Sequence, residues 1–311
     1  MLRFIGGMIA LSGCSSTGPY QYGRFHKEHF DAESEQIETQ VGEENPRLDR
    51  IAMIVGYPAK LIPCSSKINT HQLTPETEEK LKTYLVQNDL TDVCIYINHY
   101  APRDQWRRLA QNKRMSPAWK YTFGAGRWVA DSLVPGRVFG GDEYNPYTNT
   151  LMVNSDSPAV LLYEAAFAKD VHSRRYPGAY ASVNQLPVLS LWRQTIAAKD
   201  VIRYAQTRHD WTVEEEAYTV LFPIIGAEFF LAADPFLELS PWFTPALALT
   251  GAVAGHATGR VTAAVRANEI KRAQADESLH VQLTSSTTEK TARGQRDDNQ
   301  RSRSLERDPG H

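Results

Sequence analysis

A polar stretch at 14–48 and a polar C-terminal end bracket a long middle of periodic apolar runs. Residues 51–62 (IAMIVGYPAKLI) are β-rich and interrupted by Pro58. Residues 74–87 carry a helical stripe of Leu81, Tyr84 and Leu85, with Thr74 placed to cap and Pro75 at the first helical position. Residues 93–100 (VCIYINHY) alternate as a strand should. The N-terminal half therefore reads strand–helix–strand. A further β-rich run covers 147–153 (YTNTLMV). Asn154-Ser155-Asp156-Ser157-Pro158 follows it as a helix start, because the Ser157 hydroxyl can accept from first-turn amides and Pro158 needs no hydrogen bond. The pattern predicts one helix over 158–176, stopped by Pro177-Gly178, and a second over 188–207. The fold class this implies is α+β.

Two apolar segments come next. Residues 217–233 (AYTVLFPIIGAEFFLAA) contain a single charge, Glu228. Residues 241–259 carry Gly251, Gly255 and Gly259, four apart and so on nearly one helix face. As a helix the second segment is about 28 Å long, at the margin of a bilayer core. Two arrangements stay open: helices packed on the domain or lying at a surface, or one membrane span at 241–259 with Arg260, Arg266, Lys271 and Arg272 on the inner side. Residues 273–311 are rich in Ser, Thr, Arg and Asp and are expected to form a disordered tail.

Composition narrows the picture. The chain has 311 residues, a net charge of −2, 42% hydrophobic residues and 3 cysteines. The near-neutral balance argues against nucleic acid as a main partner. Three cysteines do not make a disulfide scaffold. Residues 103–120 are locally basic, which reads either as a solvated helix face with Trp106 and Leu109 turned inward or as an anionic-lipid or polyanion patch.

At the N-terminus, Arg3 precedes a short apolar run that ends in Leu11-Ser12-Gly13-Cys14. This resembles the lipobox of bacterial lipoproteins. The resemblance implies a signal peptide at 1–13, a diacylglycerol on Cys14 and a membrane-anchored protein of the cell envelope. Ser15 after the cysteine resembles a residue that permits export to an outer membrane. Residues 14–48, polar and acidic, then read as a tether. Cys64 and Cys94 remain, as a disulfide or as two buried free thiols.

The densest chemistry lies in Tyr163-Glu164-Ala165-Ala166-Phe167. The segment resembles the His-Glu-x-x-His helix of zincin metallopeptidases, in which two histidines one turn apart bind zinc and the Glu is the general base. Here Glu164 stands at the base position, and Tyr163 and Phe167 stand at the histidine positions. In gluzincin-type members a strand precedes that helix and borders the cleft, as 145–153 does here. Their third ligand is a Glu on a later helix, followed by an Asp; Gln194 and Asp200 are similarly placed. The run 140–150 with its helix also resembles a family of uncharacterised planctomycete-type bacterial lipoproteins, some of which keep His-Glu-x-x-His and some not. That likeness covers about residues 51–260.

The resemblance implies a zincin-like α+β domain over 49–215 whose metal-ligand positions are substituted, with apolar helices at 216–272. The implied role is non-catalytic: binding or scaffolding at the envelope, anchored through Cys14 and engaging a peptide or protein partner, with no cofactor and no metal. Two other readings stay open. One is a metal-dependent hydrolase with rearranged ligands, such as His172 and Asp200, around Glu164. The other is a membrane-structural role for the Gly251/Gly255/Gly259 face. No Gly-x-Ser-x-Gly elbow occurs.

Overall fold

The computed structural model describes residues 20–23, 37–42, 54, 60–133, 141–237 and 241–305. The signal segment 1–13 and Cys14 lie outside them. The fold is α+β, with one small mixed sheet and a majority of helix. Two units are distinguished, Met1–Arg260 and Val261–His311.

The sheet is built from β1 (Thr39–Val41), β2 (Cys94–Ile97), β3 (Glu143–Asn145) and β4 (Thr150–Val153), in the order β1-β2-β4-β3. β1, β2 and β4 run parallel, and β3 joins the edge antiparallel to β4. A parallel pair needs a crossover, and α1 (Pro75–Gln87) supplies the one between β1 and β2. The Thr74 hydroxyl accepts from Thr77 N at 3.4 Å, the cap its position suggests. α2 (Pro102–Gln111) and α3 (Ala125–Leu133) lie between β2 and β3. Leu109 of α2 is buried, while Trp106, expected inward, is 40% exposed and leans on the Trp128 ring.

The strand–helix–strand order holds, but its first strand is not the expected one. Within 51–62 the described residues Ile54, Lys60 and Leu61 are helical and Ile62 lies in a turn. β1 comes instead from the stretch expected to be a tether. There Ile37 is buried in the core, and Glu38 pairs with Arg108 of α2. Residues 20–23 also belong to the domain. Gly23 has φ of +60° and donates its amide to Asp200 Oδ1 at 2.7 Å. A Cβ on Gly23 would stand 2.7 Å from the Arg203 carbonyl carbon, so only glycine fits this approach.

α4 (Pro158–His172) is the central helix. The Ser157 hydroxyl accepts from Val160 N at 3.4 Å. Nearly every residue of α4 is buried, as expected of a helix that is apolar on all sides. It ends before the expected boundary because a separate short helix, α5 (Pro177–Val183), starts at the proline. α6 (Pro187–Arg208) packs along α4. The core joins Leu81, Leu85, Ile95, Leu151, Leu161, Leu162 and Val201.

α7 (Trp211–Glu216) continues through a wide turn, Ala217–Leu221, into α8 (Phe222–Leu237). The stretch Trp211–Asp234 is one helix long and apolar enough to cross a membrane, and it is part-buried against the protein. The final helix, α9, runs Thr244–Leu305. Its glycines are used inside the chain. A Cβ at Gly251, Gly255 or Gly259 would come within 2.1–2.3 Å of the carbonyl oxygens of Gly226, Phe222 and Tyr218. The stripe thus brings two helix backbones together, the arrangement open to a packed pair. Residues 273–305, expected as a disordered tail, are helical. Their Ala, Arg, Lys, Gln and Glu are good helix formers even without an apolar face. Cys64 is exposed and Cys94 is buried, and both are free thiols rather than a disulfide. Burial pushes the Cys94 thiol up to about 12.

Candidate functional site

The site is the seam where α4, α6 and α8 meet the edge strand β3. Glu164 projects from α4 and is buried. Its Oε2 accepts from the Tyr144 amide of β3 at 3.0 Å. Burial pushes its carboxyl up to about 7. The Arg193 charge and the Tyr144 amide pull the other way, and Glu143 and Asp142 reinforce the rise.

Tyr163 and Phe167, one helical turn apart, are both buried. The Phe167 ring meets the Tyr144 ring edge-on, with centroids 5.6 Å apart. On another side the Arg193 guanidinium of α6 stands 4.3 Å from the Phe167 centroid, a cation–π contact. Burial holds the Tyr163 phenol protonated, well above its ordinary value. Gln194 is fully buried. Its Nε2 donates to Glu228 Oε2 of α8, while Oε1 has no hydrogen-bond partner.

Arg193 and Glu228 are residues of the seam that the sequence reading did not assign to it. Burial works against the Arg193 charge, but Glu164, Tyr163, Glu228 and Glu143 outweigh that and raise its pKa. Its Nε is buried without a hydrogen-bond partner. Glu228, whose carboxyl burial pushes up, shares the Arg193 field. A lone carboxylate in an apolar run such as 217–233 must find a partner when the run is buried. That signal could have found Glu228, which was read only as the single charge of its segment; no comparable signal marked Arg193. Beside these groups lies a cavity of about 60 Å³, lined by Glu143, Tyr144, Asn145, Phe167, Gln185 and Arg193.

His172 and Asp200 do not join this set. His172 Nε2 lies 3.0 Å from Asn149 Oδ1 and 3.2 Å from the Tyr144 hydroxyl. Burial and the Arg114 charge push the imidazole down to about 4, against Asp92. Asp200 is fully buried elsewhere. It accepts from Lys169 Nζ at 2.9 Å, from the Gly23 amide and from the Tyr84 hydroxyl. His172 was grouped with Glu164 because it lies near it along the chain, and Asp200 because it matches the Asp that follows the third ligand in the resembling peptidases. The partners of both residues come from other elements, and these hold them apart. Asp170 forms another buried junction, with Arg174 and the Tyr180 hydroxyl.

The residues at the three positions where the resemblance would put ligands, Tyr163, Phe167 and Gln194, do not fit zinc. Phe167 has no donor atom, the Tyr163 phenol keeps its proton, and the Gln194 amide is bonded to Glu228. The Arg193 guanidinium adds positive charge to the same space, which disfavours a dication. Among the described residues, no group of three or more His, Cys, Asp or Glu is arranged to hold a metal ion. The seam can instead hold a proton near neutrality on Glu164. Compared with protein-family models, with curated proteins and with solved structures, the chain gives no match.

Proposed function

We propose that this chain is a lipid-anchored cell-envelope protein whose zincin-like domain binds or scaffolds rather than cleaves. One observation carries the reading. At the place where the resembling peptidases hold a cation between two helices, this chain has the Arg193 guanidinium over the Phe167 ring, with Glu164 and Glu228 in its field. A fixed organic cation lends the buried acids a nearby positive charge but offers no open coordination site to polarise a carbonyl or a water. The anchor is the diacylglycerol that the Leu11-Ser12-Gly13-Cys14 lipobox implies.

A peptide partner has a defined obstacle. The Tyr144 amide on the edge strand is taken by Glu164, so an added strand must displace that carboxylate. Two measurements test the reading. Elemental analysis of the purified chain, with and without added Zn²⁺, should find no stoichiometric metal. Feeding an alkyne fatty acid should label the wild-type chain and not Cys14→Ala. Stoichiometric zinc, together with peptide hydrolysis abolished by Glu164→Gln, would establish the peptidase instead. Failure of the label to enter wild type would remove the anchor.

A further inference from the structure

Away from the seam, α6, α8 and α9 enclose an open groove of about 650 Å³. Ile202, Phe222, Ile225, Phe229 and Ala254 make its lining apolar. Phe229 is 59% exposed. The charged side chains that line it, Lys199 and Arg203 of α6, are both basic and exposed. Trp192 lies seven residues before Lys199, hence on the same helix face, and is 65% exposed. An apolar trough with basic neighbours and an exposed indole is the composition that proteins place at a membrane–water boundary.

The chain's own course supplies the second line of argument. Tyr22 packs its ring on Lys199, with the ammonium 4.5 Å from the ring centroid, and Gly23 lies against the backbone of Arg203 and Tyr204. The residues leading in from the N-terminus therefore arrive at two of the groove's basic residues. Cys14 is six residues before Tyr20, and six extended residues span at most about 20 Å. A lipid on Cys14 would hold this face, and no distant one, within about 20 Å of a bilayer.

We propose that the α6–α8–α9 groove is the membrane-facing surface of the domain, and that its occupant is an anionic phospholipid of the bilayer to which the chain is anchored. The apolar lining receives acyl chain, and Lys199 and Arg203 meet the headgroup phosphate. The inference rests on the lipid-anchor reading for its geometry, but its test does not.

The processed chain from residue 14 onward, carrying Cys14→Ser and so unlipidated, is floated with vesicles of phosphatidylglycerol and phosphatidylethanolamine, and separately with phosphatidylcholine alone. Circular dichroism verifies the fold of each variant. The expected result is flotation with the anionic vesicles only, reduced at least tenfold by Lys199→Glu/Arg203→Glu and weakened by Phe229→Ser. Absence of flotation, equal flotation with phosphatidylcholine, or insensitivity to the charge reversal overturns the proposal. Fatty-acid labelling of the wild-type chain tests the anchor by itself, so either idea can fail while the other stands.

Discussion

Replacing Glu164 by glutamine removes a buried ionisable group while keeping its shape and its acceptor for the Tyr144 amide. The carboxyl ordinarily titrates at 4.5 and does so at about 7 when folded. Folding therefore raises its proton affinity. Below pH 4.5 both states are protonated and no penalty arises. As pH rises through 7 the folded state must carry a buried anion. Each tenfold change in proton affinity is 1.36 kcal/mol, so the gap from 4.5 to 7 corresponds to about 3 kcal/mol of stability lost across that window. Glu164→Gln should then match wild type at pH 4.5 and exceed it by about 3 kcal/mol at pH 8. Urea denaturation at several pH values reads the difference directly, and the comparison cancels the contributions of other acids. Parallel pH profiles for the two proteins, or a less stable variant at pH 8, would refute the idea that this carboxyl is strained by burial.

Four further outcomes follow from the same geometry. Arg193→Met should destabilise the fold by about 2–4 kcal/mol at pH 8 and by less at pH 5, where Glu164 is neutral, as read by urea midpoints. The His172 imidazole should stay neutral until pH falls to about 4 rather than titrating at 6.5, so stability falls as pH drops from 6.5 to 4, where only the unfolded state takes up the proton; histidine NMR titration reports the folded value. Gly255→Ala sets a methyl 2.3 Å from the Phe222 carbonyl oxygen and should lower stability by about 1–3 kcal/mol in thermal melts. Lys169→Met leaves Asp200 without its cation at a fully buried position and should cost about 3–5 kcal/mol, again in urea.

Local chemistry was legible where it acts locally. The Thr74 and Ser157 caps, the strand at Cys94–Ile97 and the helix carrying Glu164 all depend on residues within a turn or two of each other. β1 was not legible, because Thr39–Val41 is too short to show alternation and ends on an exposed valine. Backbone pairing with β2 and the Arg108–Glu38 contact make it a strand, and both come from far along the chain. Arg193 escaped for a similar reason: a basic residue in a helix is ordinarily solvated, and only the packing of α6 on α4 turns it toward Phe167. His172 and Asp200 show the converse error, since neither nearness to Glu164, for His172, nor a matching place in a resembling pattern, for Asp200, survived the competition of distant partners.

Asp200 accepts from Gly23, Tyr84 and Lys169, so one carboxylate ties together stretches of backbone that leave the ribosome at widely separated times. Gly23 emerges first of these and Asp200 last, 177 positions later. The earliest piece of the domain must therefore wait, unpaired, until nearly two-thirds of the polypeptide has been made. Synthesis from one end thus places the closing contact of the chain's beginning on a residue made long after it.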